Sequence, residues 1–160
     1  MFDVQKIHRA IWRLKAESFL AIDEKRWGDF AQLFITDARI DYSRALPDTD
    51  EPLPVMTSVA AYVSLAAQFI GSARTVHQAS VPIIDVLAPD HAKALWRMED
   101  IIVRPADAPE ASGHGYGLYE DEYRLLDDGW RISSLTFTRL LFLPISPDPC
   151  FYRTRVSGAQ

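Results

Sequence analysis

The stretch Tyr123-Arg124-Leu125-Leu126-Asp127-Asp128-Gly129-Trp130-Arg131-Ile132-Ser133-Ser134-Leu135 decides how the chain folds. Two runs holding aromatic and branched residues flank an Asp-Asp-Gly turn signal, the composition of a β-hairpin. Working outward, strands are predicted over about 114–126 and 130–142, and before them over about 92–104 and 74–87, with Pro105 to Gly113 as a turn region. The N-terminal half has a different period. Val4, Ile7, Ile11, Leu14 and Ser18 recur at helical spacing, with Lys6, Arg9, Arg13, Lys15 and Glu17 mostly off that stripe. An amphipathic helix is predicted there, running into Phe19-Leu20-Ala21-Ile22-Asp23. A second helix should carry Trp27, Phe30, Ala31 and Phe34, and a third should run from Val59 to Ile70 and end near Gly71. Between them Ala38 to Tyr42 alternates as a short strand, and 46–54, rich in proline and acidic residues, reads as a loop.

Helices followed by a four-strand meander describe an α+β domain, a curved antiparallel sheet wrapped around three helices. Such a sheet leaves a cone-shaped cavity, the default place for a small apolar ligand. One domain is expected over 1–160, with a core of about 4–143 and an extension over 144–160.

Composition narrows the function classes. Among 160 residues, 48% are hydrophobic and 24% charged, a globular balance. The net charge of −5 argues against nucleic acid as a partner, because phosphate binding needs clustered Lys and Arg. No stretch has the ~20 apolar residues of a membrane helix, and Met1 to Lys6 lacks a secretory pattern, so a cytoplasmic protein is expected. Cys150 is the one cysteine, which excludes an intrachain disulfide. No His, Asp and Glu cluster has metal-ligand spacing, and no glycine loop or nucleophile elbow is present, so no metal or other cofactor is expected.

The residues that could carry chemistry are few. Asp23 ends the first helix, and His77 lies in Ala73-Arg74-Thr75-Val76-His77-Gln78. A carboxylate and an imidazole on separate rigid elements suit general acid/base work, the carboxylate fixing the tautomer and balancing the imidazolium. On a period of two, His77 shares a strand face with Ala79, Val81 and Ile83 and should point inward; a satisfied core histidine is the competing reading. Asp23 could equally cap the second helix. Tyr42 either packs its ring beside Ile40 or presents its hydroxyl. Tyr119 shares a face with Tyr123, Gly115 and Gly117, and those glycines should open space for a pocket wall at Tyr119; Tyr123 and Trp130 read as core, as does Trp27. Asp100 breaks the inward set Ala94, Trp96 and Met98, marking either a polar spot in the pocket or a strand end in water. His8 and His91 are expected at the surface, and His114, on a face with Glu120, Glu122 and Arg124, away from His77.

Four segments in register resemble the SnoaL-like branch of the nuclear-transport-factor-2-like (cystatin-like) fold, and within it the scytalone dehydratase and hexachlorocyclohexane dehydrochlorinase enzymes. They are Asp23-Glu24-Lys25-Arg26-Trp27, Arg39-Ile40-Asp41-Tyr42, Thr75-Val76-His77, and Tyr123 through Trp130-Arg131 to Leu135. The resemblance implies a catalytic dyad of Asp23 and His77, with the histidine removing a carbon-bound proton as a hydroxyl or halide leaves. It also places Tyr42 where a hydroxyl, acting with a second tyrosine through water, polarises a carbonyl. The chain departs from the pattern at the recognition groups: the second tyrosine falls on Ile22, a serine and an asparagine near Gly117 and Tyr119, a pocket histidine near Asp100, and an assisting arginine near Leu125 or Leu126. Scytalone and chlorinated cyclohexane are therefore not the expected substrates.

The resulting expectation is a cofactor-independent lyase acting on a small apolar, cyclic or aromatic-derived molecule, with Asp23 and His77 catalytic and Tyr42, Asp100 and Tyr119 binding substrate. The rivals are an isomerase or epoxide hydrolase on the same scaffold, and a ligand-binding or assembly module related to the small subunit of ring-hydroxylating dioxygenases. Relatives are commonly trimers or dimers, so the resemblance implies a homo-oligomer, three copies favoured. The apolar residues between Leu140 and Phe151 suit an interface.

Overall fold

The computed structural model describes residues 3–45, 52–108 and 110–145. Cys150, Phe151, most of the 46–54 loop and nearly all of the 144–160 extension lie outside the described residues. Helix α1 spans Val4–Asp23, capped at its start by the Asp3 carboxylate, which accepts from the Lys6 N–H at 3.0 Å. It stops abruptly after Asp23. The Lys25 N–H returns to the Ile22 carbonyl (3.0 Å) and the Arg26 N–H to the Ala21 carbonyl (2.8 Å), with Lys25 itself left-handed at φ 57°. This is the paired C-terminal capping arrangement usually built on glycine. The Lys25 ammonium anchors it by donating to the Ala73 carbonyl at 2.7 Å. Helix α2 is a short Trp27–Ala31, and α3 spans Val59–Ile70 behind an N-cap at Ser58.

Six strands form one sheet: β1 (Phe34–Arg44), β2 (Arg74–Ala79), β3 (Ile83–Ala88), β4 (His91–Val103), β5 (Gly113–Leu126) and β6 (Gly129–Pro144). The order is β1-β6-β5-β4-β2, with β3 also paired to β4. The α+β class and the three helices are as expected, and Asp127-Asp128 is the two-residue link of the β5–β6 hairpin. Three details differ. Phe34 opens β1 rather than belonging to α2, and β1 runs parallel to β6 beside the antiparallel remainder. The strand predicted over 74–87 is two strands on the two halves of β4, interrupted at Ser80-Val81-Pro82 where proline cannot donate to a ladder. Val81 is consequently 86% exposed and does not share an inward face with His77.

The core fills the concave side, where Ile7, Ile11 and Leu14 of α1 join Phe30, Ile40, Trp96, Tyr123, Ile132 and Phe137. Trp27 and Trp130 pack partly buried against it. Lys15 does not lie off the apolar stripe. Only 2% exposed, it places Nζ 2.8 Å from Asp121 Oδ2 and 3.7 Å above the Tyr119 ring. Its position four residues after Ile11 puts it on the wide inward face of a core-packed helix. Burial pushes the Lys15 ammonium below its ordinary range, against the pull of Asp121. Tyr123 donates to the same Asp121 oxygen at 2.7 Å and accepts from the Trp96 indole at 3.0 Å. Asp121 Oδ1 has no hydrogen-bond partner among the described residues, so Lys15 supplies most of the compensation for this charge.

Removing only one charge should be costly. Lys15→Met is expected to lower the unfolding free energy by about 3–5 kcal/mol, and adding Asp121→Leu to restore most of it. Urea unfolding checks both; a single variant within about 1 kcal/mol of the parent disproves the role.

Candidate active site

The turn that ends α1 delivers the Asp23 carboxylate to β2. Oδ1 lies 2.6 Å from His77 Nδ1 and accepts from the Thr75 hydroxyl at 2.8 Å, while Oδ2 accepts from the His77 backbone N–H at 2.9 Å. Asp23 does not cap α2, whose N-cap position is Arg26 with no side-chain cap bond. Burial pushes the Asp23 carboxyl up, but the His77 ring, the His77 N–H and the Thr75 hydroxyl outweigh it and hold the group below the usual carboxylate range. The imidazole is fixed on its other side by Phe19, nearly parallel at 22° with ring centroids 6.0 Å apart. With Nδ1 bound to Asp23, Nε2 is the nitrogen left for the cavity, and it has no hydrogen-bond partner among the described residues.

That cavity encloses about 790 Å³, within the ~300–1,000 Å³ of small-molecule sites. Its walls hold His77, Tyr42, Tyr62, Asp100, Tyr119 and Arg139 among apolar residues that include Ile22, Leu65 and Phe137. The structure thus gathers His77, Tyr42, Asp100 and Tyr119 around one space, with Asp23 one bond behind.

Tyrosine hydroxyls form one polar wall. The Tyr42 hydroxyl is 2.7 Å from that of Tyr62 and 3.4 Å from that of Tyr119. Burial pushes all three phenols well above 10, so they remain protonated donors near neutral pH. The second tyrosine beside Tyr42 is Tyr62 of α3, a residue the sequence reading missed; Ile22 lines the cavity as an apolar group. Tyr62 lies on the buried face of α3 with Val59 and Ile70, where a tyrosine among apolar residues is a weak signal.

Asp100 is not at a strand end in water. It is 3% exposed and forms a two-pronged ion pair with Arg139, each carboxylate oxygen 2.9 Å from one terminal guanidinium nitrogen. The glycines on β5 do not simply open space. A Cβ on Gly115 would sit 1.9 Å from Arg139 and 2.1 Å from Asp100, one on Gly113 would strike the Phe142 ring, and one on Gly117 the Thr138 carbonyl and the Phe137 ring. Arg139 was also missed, because a register shift between Tyr116 and Gly117 reverses the alternation of β6 before Phe142. Leu125 and Leu126 are exposed at the hairpin, so the position expected for an assisting arginine lies outside the cavity.

The remaining histidines stand apart. His91 is 3.2 Å from Glu122 and His114 is 3.1 Å from Glu99; His8 and His91 are partly buried rather than fully exposed. Among the described residues no group of three or more His, Cys, Asp or Glu could hold a metal ion, and no helix is long and apolar enough to cross a membrane.

The profile of the SnoaL-like domain matches residues 6–136. The chain belongs to the SnoaL-like family. No curated protein sequence matches it. Solved structures share the nuclear-transport-factor-2-like fold of this SnoaL-like protein. A scytalone dehydratase candidate from Novosphingobium aromaticivorans is 22% identical, with a TM-score of 0.72 over 86% of this chain and 87% of that one. A protein from Kribbella flavida is 20% identical, with a TM-score of 0.76 over 88% and 95%. A hexachlorocyclohexane dehydrochlorinase from Novosphingobium barchaimii is 16% identical, with a TM-score of 0.70 over 89% and 92%. Identities this low show a common fold and leave the activity of the SnoaL-like protein to its own residues.

The lowered Asp23 pKa fixes a pH dependence. A carboxyl whose folded value lies below its unfolded value of about 3.9 adds stability above that pH and loses it as pH falls through the folded value. Asp23→Asn should therefore be less stable than the parent at neutral pH, and the gap should close in acid. Unfolding free energies measured from about pH 6 to pH 2 test this; a gap that does not narrow in acid rejects it.

Proposed function

We propose that this SnoaL-like protein is a cofactor-independent lyase of the dehydratase kind, acting on a small, largely apolar, cyclic or aromatic-derived molecule. The observation that carries the reading is His77, its Nδ1 held 2.6 Å from Asp23 and its ring forming part of the cavity wall. Nε2 removes a carbon-bound proton. The C–H electron pair forms the new double bond, and a hydroxyl on the neighbouring carbon departs, taking the proton from His77 to leave as water. Asp23, ionised, keeps the proton of neutral His77 on Nδ1 and balances the imidazolium formed in the first step. The protonated hydroxyls of Tyr42 and Tyr119 orient substrate oxygen, and the aromatic and aliphatic walls exclude water. Here Asp100 acts within the wall, bound to Arg139.

Positioned general-base catalysis contributes ~10²–10⁴ in rate, about 3–5 kcal/mol. On a panel of cyclic β-hydroxyketones, His77→Ala should lose at least ~10² in kcat/KM. Proton NMR in deuterium oxide follows both elimination and exchange of the α-proton. A variant keeping more than about a tenth of the parent rate overturns the assignment. Return of the abstracted proton to another carbon would identify an isomerase instead.

We further propose that the protein works as a homo-oligomer of three copies. The exposed apolar run Leu140, Leu141, Phe142 and Leu143 at the end of β6 supports an interface there. Light scattering at micromolar concentration should give three times the chain mass, and a monomer rejects the proposal.

A further inference from the structure

Arg139 lies outside the dyad, yet the sheet carries it to the same end of the cavity. Asp100 of β4 is directly opposite His77 of β2 on one side and Gly115 of β5 on the other. Arg139 of β6 reaches over Gly115 and meets both Asp100 oxygens at 2.9 Å, in space that any Cβ at Gly115 would take. Phe137 and Phe142 flank the guanidinium, with ring centroids 4.8 and 5.9 Å from its central carbon. A guanidinium has five N–H donors, of which Asp100 takes two. The other three have no hydrogen-bond partner among the described residues.

Stability alone is a weak reason for this arrangement. Desolvating two charges costs about what their attraction returns, and apolar residues of similar volume often serve as well or better. A buried ion pair lining a cavity, one strand from a candidate base, is better accounted for by the ligand it receives.

We propose that Arg139 binds the carbonyl oxygen of the substrate next to the carbon that His77 deprotonates, making the substrate class a neutral ketone or enone. This deepens the lyase reading and rests on it. When the proton leaves, the C–H pair forms a carbon–carbon double bond and the carbonyl π pair moves onto oxygen, where the free N–H groups of Arg139 stabilise the enolate. As the enolate collapses, the carbonyl re-forms and the β-hydroxyl leaves with the proton from His77. Asp100 is a positioning residue, setting the plane of the guanidinium and neutralising it enough that a neutral substrate can enter.

4-Nitrophenol is a suitable probe, because its anion mimics a planar enolate and its colour reports ionisation. Absorbance titrations across pH, with the intact chain, should show bound probe ionising at lower pH than free probe. Asp100→Asn with Arg139→Gln keeps a neutral hydrogen-bonded pair and should weaken phenolate binding about tenfold or more while the shift disappears. His77→Gln should retain the shift. Arg139→Lys, which keeps the cation, serves as a second variant if the double variant melts early. A parent protein that does not bind the probe, or binds it without a shift, overturns the assignment, as does a shift that survives loss of Arg139. If His77 proves essential for elimination while Arg139 has no effect on the probe, the oxyanion role fails and the lyase reading stands. If the probe depends on Arg139 but no substrate needs His77, the lyase reading fails and Arg139 remains a site for anionic oxygen.

Discussion

The Asp23 carboxylate is the point on which both the architecture and the site depend. It accepts three hydrogen bonds from β2, through the Thr75 hydroxyl, the His77 N–H and the His77 ring. Those bonds join the end of α1 to an edge strand, and the same bonds set which imidazole nitrogen is left for the cavity. The left-handed Lys25 that stops α1 belongs to the same corner, its ammonium donating to the Ala73 carbonyl just before β2. A single carboxylate therefore clamps α1 to β2 and, in the function proposed above, orients His77 as a base.

Around that clamp the interior is divided by charge. Lys15 and Asp121 form a buried ion pair against the Tyr119 ring, with Tyr123 donating to the same Asp121 oxygen and accepting in turn from Trp96. Asp100 and Arg139 form a second pair that is not sealed, since both line the cavity. The hydroxyls of Tyr42, Tyr62 and Tyr119 form a third polar group on the cavity wall. The first pair does not line that cavity; the second does, together with His77. That contrast separates structural polarity from the polarity a substrate would meet.

Much of this was legible in the residues. The helical period of α1, the Asp-Asp-Gly turn and the alternation of β4 and β5 are local properties, set by which side chains a regular element must bury. They suffice for the α+β class and for an inward His77 and Tyr119, while Tyr42 and Asp100 each kept two readings. Lys15 was misread because a charged residue beside an apolar stripe is normally solvated, and only the partner at Asp121 makes its burial tolerable.

Pairings between distant strands were decided by the tertiary structure. Register shifts against β5 set off Ser133 and Leu140 in β6, so that Ile132, Leu135, Phe137, Arg139 and Phe142 all reach the inward side although no single period of two contains them. The glycines of β5 look like empty space in a sequence and are filled by side chains from the next strand. Asp100 had two readings until Arg139 was found across the sheet, and Tyr42 lacked its partner until α3 brought Tyr62 to it. The sequence by itself determined the helices, the β5–β6 hairpin and most of the strands, and singled out Asp23 and His77 as candidates, because local burial patterns and residue chemistry are written one position at a time. The partners of Asp100, Tyr42 and Lys15 were settled only by tertiary structure, because a hydrogen bond or ion pair between residues far apart in the chain, 39 positions for Asp100 and Arg139, has no local signature.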